Sequence, residues 1–418
     1  MTTRSVSVVP AERIPTLDAL RGLALLGIFC VNMPVFVGSV LGSPNGAHLW
    51  PMWWDQAANG FRAIFMSGKF NGMFSMLFAV GFTIQLGRLL ERNADNAYWI
   101  YVRRLLWLLV FGLIHRVVWY GDVLHNYAVL GLVMLLVLHR LSDRTLIGLI
   151  VVSLLVPTIV GLAYWALVTP ADIAQLSVWK KEMVAADNAM LGHGSFLDAA
   201  RRNIQTFLHE QLTNPNLSIG YYTTTIQFSG TMLLGLLLGR RRFFQRTEEL
   251  LPLVCRVQWW ALGVGLFMGA LYAAWAVIAA NPSVPTVDKA LAKFCFVVSR
   301  FGVMIFYIAV IVRAMHDTTW RRRLQPLVDA GRMPLTNYLM QTLIATSVFF
   351  GWGLGLWGQV GPALQLVFVF SVFFLIQVPF SRWWLGRYQT GPMEYLWRVL
   401  TYGRGALKQE KVGPVTAS

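Results

Sequence analysis

The sequence has 418 residues, of which 56% are hydrophobic and only 13% are charged. A water-soluble protein of this length needs more polar surface than these residues supply. Apolar runs of 18 or more residues recur along the chain, and each is long enough to cross a bilayer. The composition excludes a soluble globular protein and predicts an all-α, polytopic membrane protein that forms a single integral membrane domain over residues 1–418.

The net charge of +16 fits this class without nucleic acid as a partner. Cytoplasmic loops of membrane proteins collect Lys and Arg, so a positive balance accompanies many spans. The three cysteines, Cys30, Cys255 and Cys295, lie in or beside apolar runs and show no paired spacing. This pattern argues against a disulfide framework and against a zinc site, and we expect no metal cofactor.

Ten membrane-spanning helices are predicted in chain order. They cover about residues 19–42, 70–90, 101–119, 123–140, 146–168, 221–239, 258–280, 293–313, 335–352 and 362–381. With a cytoplasmic N-terminus, the inner segments hold most of the 35 Lys and Arg residues, so we expect both termini in the cytoplasm. Nine or eleven spans stay open as alternatives, because the Gly-interrupted segments 61–78 and 353–361 could be re-entrant.

One long polar segment, residues 169–220, follows the fifth predicted span and is expected on the outer side. Within it, SFLDAARRNIQTFLHEQL (195–212) carries its apolar and charged residues on different sides of a helix. The apolar side comprises Phe196, Ile204, Phe207 and Leu208. This pattern predicts an amphipathic helix that lies on the outer membrane surface or caps the bundle.

Two predicted spans repeat one polar spacing. In LDALRGLALLGIFCVNMP (17–34), Arg21 and Asn32 are eleven residues apart, which is about three turns and roughly 16 Å along one helix face. In the third span, Arg104 and His115 have the same separation. Because both helices run from inside to outside, we expect the arginines at the inner boundary and Asn32 and His115 in the outer half. The alternative interpretation of the arginines is that they anchor the helices by snorkelling.

The turn after the third span, WYGDVLHNY (119–127), adds two ionisable groups. Asp122 begins the returning helix, where a carboxylate can cap the first turn, and His125 follows on the same side. We expect Asn32, His115, Asp122 and His125 to converge on one pocket in the outer half. His48 lies in the neighbouring outer loop, where it could equally be solvated.

A late polar stretch, DAGRMPLTNYLMQT (329–342), places Arg332 at the inner boundary and Tyr338 and Gln341 above it. GRRRFFQR (239–246), which includes Arg240, adds further guanidinium groups to the predicted inner face. Arginine binds phosphate well, so this face is a candidate phosphate site. Anionic lipid head groups would satisfy the same arginines.

These motifs resemble the YeiB-type family of bacterial inner-membrane proteins. The matching segments are LDALRGLALLGIFCVN (17–32), GKFNGMFSMLFAVGF (68–82), RRLLWLLVFGLIHRVVWYGDVLHNYAVLG (103–131), GRMPLTNYLMQT (331–342), GLGLWG (353–358) and GPMEYLWRVLTY (391–402). The resemblance implies a multi-pass protein of the bacterial inner membrane, with YeiB-type helices 6–10 in residues 221–402.

A more distant similarity links Arg21 and Asn32 to the first catalytic-domain helix of heparan-alpha-glucosaminide N-acetyltransferase. Bacterial transmembrane acyltransferases have a similar arginine, with a histidine where this chain has Asn32. Those enzymes pass an acyl group from cytoplasmic acyl-CoA to an acceptor across the membrane. The similarity implies acyltransferase-like helices 1–5 in residues 19–168, acyl-CoA (above all acetyl-CoA) as co-substrate, and a small-molecule, glycan or lipid acceptor.

Combined with the polar residues, this similarity gives the hypothesis of an acyl-CoA-dependent transferase within the bilayer. His115 or His48 would be the base, Asp122 would orient an imidazole, and Asn32 would donate to the oxyanion. The phosphates would be bound by Arg21, Arg104, Arg332 and Arg240. The acceptor would contact His125, Tyr338 and Gln341. Two alternatives remain: a transporter or exporter of a small amphipathic metabolite, and a non-catalytic membrane protein that binds lipid or a partner. In each case the protein could be a homo-oligomer.

Overall fold

The computed structural model describes residues 13–46, 48–92, 96–209, 215–278 and 286–403. Within these ranges the regular structure is entirely helical, which confirms the predicted fold class. The last residues of the predicted segments 195–212 and 258–280 lie outside the described residues.

The helices differ widely in length, and most of the long ones are apolar. In chain order they are α1 (Pro15–Val37), α2 (Trp53–Phe61), α3 (Lys69–Arg92), α4 (Ala97–Val118), α5 (Leu124–Leu136), α6 (Asp143–Leu167), α7 (Pro170–Asp187), α8 (Phe196–Leu208), α9 (Pro215–Arg240), α10 (Leu251–Ile278), α11 (Val287–His316), α12 (Thr318–Arg323), α13 (Gln325–Gly331), α14 (Pro334–Phe349), α15 (Pro362–Ser371), α16 (Val378–Leu385) and α17 (Pro392–Tyr402).

Seven helical stretches in the described ranges are long and apolar enough to cross a membrane. They are Pro15–Val37, Trp53–Glu91, Ala97–Val118, Asp143–Leu167, Leu251–Trp275, Val287–His316 and Pro362–Leu385. The chain is therefore a multi-pass membrane protein. Helix α5 is apolar but shorter, and the predicted ten spans and cytoplasmic termini stay predictions.

Helix α1 is the centre of the bundle. It is apolar on all sides, which is typical of a helix enclosed by others, and it packs against α3, α13, α14 and α15. Glycines bring α1 and α13 into backbone contact: a Cβ on Gly22 would lie 2.0 Å from the carbonyl oxygen of Leu327, and one on Gly331 would lie 1.8 Å from that of Asp18. Small residues allow this close approach between membrane helices.

A break separates α2 from α3 within the Gly-interrupted segment 61–78. The π-helical turn Arg62–Met66 ends there, and Gly68 has φ of 75°. Four side chains donate to carbonyl oxygens at this break: Ser67 to Arg62, Lys69 to Ala63, Tyr307 to Phe65 and Arg300 to Gly68. Because a bilayer offers no water to such oxygens, these donors make the broken backbone tolerable within the membrane.

Helix α8 confirms the predicted amphipathic helix and packs on the end of α4. Ser195 and Asp198 cap its first turn reciprocally. The Asn203 amide donates to the carbonyl oxygen of Val117 (2.9 Å), and buried Arg202 donates to Asp187 at the end of α7 (2.7 Å). Helix α8 thus covers the end of α4.

We expect Gly22→Ala to lower the free energy of unfolding by about 1–3 kcal/mol, because its Cβ would push α1 away from α13. The measurement is thermal unfolding of the detergent-purified protein. Gly87→Ala is the matched control: its Cβ would meet no atom within 4 Å, so it should be neutral or slightly stabilising. Equal melting temperatures for the two variants would contradict the close α1–α13 contact.

Candidate functional site

Asp122 joins two buried histidines at the turn between α4 and α5. Its Oδ1 bonds to His115 Nδ1 (2.7 Å), and its Oδ2 bonds to His125 Nδ1 (2.8 Å) and accepts from the His125 backbone amide (3.1 Å). His115, Asp122 and His125 are 5%, 3% and 4% exposed. Gly112 permits the arrangement, because a Cβ there would lie 2.4 Å from the backbone nitrogen of His125.

The hydrogen-bond partners of the two imidazoles indicate which ring nitrogen carries the proton. The Nε2 of His125 lies 3.2 Å from Nη1 of Arg116, and because a guanidinium can only donate, this Nε2 accepts and the proton is on Nδ1. Burial by itself would raise the pKa of Asp122, but the hydrogen bonds from both histidines outweigh it and lower the pKa to about 2. Asp122 is therefore an ionised acceptor for both Nδ1 hydrogens, and the His115 Nε2 lone pair faces Thr342 Oγ1 at 2.8 Å.

Aromatic rings enclose this group on two sides. The ring of Tyr338 lies 5.1 Å from that of His115, measured between centroids, and Trp119 lies edge-on to it at 6.1 Å. On the other side, Phe207 of α8 contacts both the His125 ring (5.9 Å) and the Arg116 guanidinium (4.2 Å). Helix α8 therefore covers the His125 side of the group.

A cavity of about 250 Å³ lies between α1, α3, α4, α5, α14 and α17. Guanidinium groups surround one end of it: those of Arg13, Arg21, Arg88, Arg104, Arg332 and Arg398. On α3 the lining residues run from Leu89 to Phe74, which are fifteen residues and therefore about 22 Å apart. Phe78 and Phe82 lie between them on the same helix face. The cavity is thus elongated. It has a basic end and, next to it, a shaft lined by aromatic side chains that include Phe78 and Phe82.

Few carboxylates balance the basic end. Asp18 bonds to Arg21 (2.7 Å), and Glu394 is occupied by the first turn of α14, accepting from the amides of Leu335 (2.7 Å) and Thr336 (3.1 Å). Burial lowers the pKa of Arg13; Asp18 opposes this, and neighbouring guanidinium groups lower it further. The basic end consequently carries an excess of positive charge that an anion would stabilise.

Two polar atoms of the lining are buried: Nε of Arg332, which has no hydrogen-bond partner among the described residues, and the hydroxyl of Tyr338, which lies near the backbone of Val123. The first lies at the basic end. The second lies on the ring that separates the shaft from His115. Buried polar groups without partners are rare and mark places where a ligand could bond.

Three of the four predicted phosphate-binding arginines, Arg21, Arg104 and Arg332, line the cavity, and so does Tyr338. Arg240 lies elsewhere: its guanidinium donates to the carbonyl oxygen of Leu141 (2.8 Å) and pairs with Asp143 at the start of α6. The predicted group of His115, Asp122 and His125 is present.

The other predicted site residues take no part in the hydrogen bonds that join this group. Asn32 is half-buried on α1 and does not line the cavity, and His48 is exposed in the loop after α1. Gln341 is buried in a polar contact between helices, where its amide donates to the carbonyl oxygen of Leu25 (3.3 Å) and to Gln377 (3.0 Å). Gln341 therefore holds α14 against its neighbours.

Sequence reasoning missed several residues of the site. Helix α17, which is too short for a span, supplies Glu394 and Trp397, and the Arg104 guanidinium stacks on the Trp397 ring at 3.6 Å. The aromatic residues of α3 at every fourth position were a usable signal. Thr342, which contacts His115, was also missed, although it is the last residue of the motif GRMPLTNYLMQT (331–342). Among the described residues, no group of three or more His, Cys, Asp or Glu could hold a metal ion.

Comparison with known proteins places the chain in a family. It is 31% identical over 405 residues to YxaH of Bacillus subtilis (strain 168), with 94% of both chains covered. It belongs to the family of YxaH and YeiB. YeiB of Escherichia coli (strain K12) is 29% identical over 416 residues, which cover 93% of this chain and 96% of YeiB. Residues 238–404 match a family described as "Protein of unknown function (DUF418)".

The YeiB-type family predicted from the motifs is thus confirmed. A 39.9 kDa protein of Bacillus acidopullulyticus, from the amylase 3' region, is 27% identical over 396 residues, with 94% of this chain and 95% of that protein covered. The relatives carry the word "uncharacterized" in their names, so the activity has to be argued from the site.

We expect Asp122→Asn to lower the free energy of unfolding by about 1–3 kcal/mol, because an amide cannot accept from both Nδ1 hydrogens and leaves a buried donor unpaired. Asp143→Asn is the control. Asp143 likewise accepts hydrogen bonds from two side chains, those of Arg240 and Arg241, but it is partly exposed, so its replacement should lower the melting temperature much less. Thermal unfolding of both variants in one detergent measures the difference. A cost for Asp122→Asn no larger than that for Asp143→Asn would contradict the described role of the carboxylate.

Proposed function

We propose that this protein is an acyltransferase embedded in the bacterial inner membrane, which moves an acyl group from acyl-CoA to a hydroxyl or amine. One observation carries the proposal: a single elongated cavity joins a cluster of guanidinium groups to the Tyr338 ring beside the Asp122–His115 pair. An extended donor with an anionic end and a reactive end fits such a cavity.

The phosphates of CoA provide the anion for the basic end. A guanidinium group can donate two parallel hydrogen bonds to phosphate oxygens. Several negative charges would balance the excess of arginine over carboxylate at this end. The unpartnered Nε of Arg332 is available to such an oxygen. The indole of Trp397, which already stacks on Arg104, offers an aromatic face for a nucleotide base.

The uncharged shaft suits the pantetheine arm of CoA. Arg104 and His115 on α4 are eleven residues apart, which places the histidine about 16 Å deeper than the arginine. The wall between them includes Leu108 of α4, Phe78 of α3 and Tyr127 of α5. A thioester bound in this way would have its carbonyl near Tyr338.

The polar groups at the deep end can perform acyl transfer. Neutral His115 is the base through Nε2, while Asp122 holds Nδ1–H and stabilises the imidazolium that forms. The hydroxyl of Tyr338, which lies near the backbone of Val123, would donate to the oxyanion, a role that the sequence pattern predicted for Asn32. One such donor contributes about 10²–10³ to the rate.

The acceptor would approach on the side covered by α8. That helix exposes apolar side chains next to the buried His125 and Arg116: those of Phe196, Leu197, Ile204 and Leu208. Apolar residues exposed along one helix face suit the membrane interface. With the predicted orientation this is the outer side, so the acceptor would be a glycan, lipid or small molecule at the outer surface.

A transporter would need access to one site from both sides of the membrane. The break between α2 and α3 resembles the discontinuous helices of transporters, but its carbonyl oxygens are occupied by side chains. The Tyr338 ring and α8 lie between the basic cavity and the opposite surface. These contacts favour the transferase.

We expect acyl-CoA to raise the melting temperature of the detergent-purified protein, because a ligand bound only to the folded state stabilises it. Acetyl-, octanoyl- and palmitoyl-CoA are the ligands, with ATP and pantetheine for comparison. Arg332→Ala should weaken binding roughly tenfold to a hundredfold, since a charge-assisted hydrogen bond contributes about 1.5–3 kcal/mol. Arg240→Ala, outside the cavity, should leave the affinity unchanged.

His115→Ala separates binding from chemistry in the same experiment. It should bind acyl-CoA with nearly unchanged affinity, because His115 lies beyond the Tyr338 ring. Folded protein that no CoA species stabilises would refute the transferase and leave the transporter as the better hypothesis. Equal effects of Arg332→Ala and Arg240→Ala would show that the cavity is not the CoA site.

A further inference from the structure

Thr342 of α14 completes an arrangement of three residues with His115 and Asp122. Its Oγ1 lies 2.8 Å from His115 Nε2, and His115 Nδ1 lies 2.7 Å from Asp122 Oδ1. Because ionised Asp122 takes the Nδ1 hydrogen, a neutral His115 accepts at Nε2 and the threonine hydroxyl donates to it. A hydroxyl, an imidazole and a carboxylate in this order are the elements of an activated nucleophile.

The hydrogen bond of Thr342 is unusual for a threonine within a helix. Such hydroxyls commonly donate to a carbonyl oxygen of the preceding turn, and Thr346 and Thr401 in this protein do so at 2.8 Å and 2.7 Å. Thr342 is also buried, yet its hydroxyl points across to α4 and bonds His115. Its local helix backbone therefore does not account for the orientation.

Thr342 lies one helical turn beyond Tyr338, the last residue of α14 that lines the cavity. Leu335 and Tyr338 of α14 line the shaft, and Thr342 follows on the same helix face, one turn and about 6 Å beyond Tyr338. The residue is thus the next group that the end of a bound thioester would meet beyond Tyr338.

We propose that Thr342 is the nucleophile that accepts the acyl group from acyl-CoA and forms a threonine ester during the reaction. The inference rests on the proposed function and adds a covalent step to it. It makes the reaction a double displacement, in which CoA leaves before the acceptor reacts.

In the first half of the reaction, the Thr342 Oγ1 attacks the thioester carbonyl while its proton moves to His115 Nε2. The carbon–sulfur bond breaks, and the imidazolium returns the proton to the sulfur, so CoA leaves as the thiol. In the second half, the acceptor hydroxyl or amine gives its proton to His115 Nε2 and attacks the threonine ester. The ester carbon–oxygen bond breaks, and Thr342 regains its proton from His115.

The test measures the acyl group on the intact chain in the absence of an acceptor. The purified full-length protein is mixed with whichever of acetyl-, octanoyl- or palmitoyl-CoA raises its melting temperature, quenched in acid and weighed by mass spectrometry. We expect about one acyl group per chain, released by hydroxylamine, on the peptide that contains Thr342, together with an equal burst of free CoA.

Variants distinguish a nucleophile from a residue that only supports His115. Thr342→Ala should bind acyl-CoA and carry no acyl group, while Thr342→Ser should restore the adduct because it keeps the hydroxyl. Thr346→Ala, one turn away, should be acylated like the unaltered protein, and His115→Ala should acquire the adduct at least a hundredfold more slowly. The melting temperature of each variant confirms that it is folded.

The outcomes separate this inference from the function on which it depends. Acyl-CoA that binds without labelling Thr342, or that labels Thr342→Ala equally well, overturns the threonine ester and leaves the transferase in place with direct transfer. Folded protein that no acyl-CoA stabilises overturns both.

Discussion

The carboxylate of Asp122 is buried between α4 and α5, and the histidine group depends on it. A charge removed from water is costly unless it is paired and hydrogen-bonded, and Asp122 meets this requirement through two imidazoles and one backbone amide. Because its oxygens accept from Nδ1, Asp122 also determines which nitrogen of each imidazole carries the hydrogen. Through His115 it orients the Thr342 hydroxyl, and through His125 it reaches Arg116 under α8.

The second constraint is electrostatic and lies at the other end of the cavity. Several guanidinium groups from α1, α3, α4 and α17 face one space, while the nearby Glu394 is occupied by the amides of α14. Side chains placed in this way repel one another unless an anion lies between them. The two ends have different chemistry and are separated by an uncharged shaft. An elongated ligand with one anionic end would therefore bind in a single orientation.

The sequence predicted those features that follow from periodicity and hydropathy. Apolar run length predicted the helical membrane fold, the break before α3 lies in the Gly-interrupted segment 61–78, and the turn around Asp122 predicted the histidine group. The eleven-residue spacing placed Arg104 and His115 on one face of a single helix; in the structure Arg104 lines the cavity and His115 lies in the last turn of α4.

The same spacing on α1 puts Arg21 in the lining of the cavity but not Asn32, and the neighbours of α1 change along its length. Gly22 lies against α13, whereas Phe29 contacts Phe368 of α15, so residues on one face of α1 meet different partners. Arg240 does not line the cavity, although it belongs to the predicted basic face. A basic segment indicates a membrane side but not which helices adjoin it. Helix α17 was not predicted, since hydropathy finds spans and not short helices that close a cavity.

The most direct test of the central claim is a cryo-EM structure with an acyl-CoA analogue in which a ketone replaces the thioester. The account predicts phosphate density among Arg13, Arg21 and Arg332, with the ketone oxygen within hydrogen-bond distance of Tyr338 and its carbon facing Thr342 and His115. Density for the analogue outside this cavity, or an empty cavity at saturating analogue, would contradict the account.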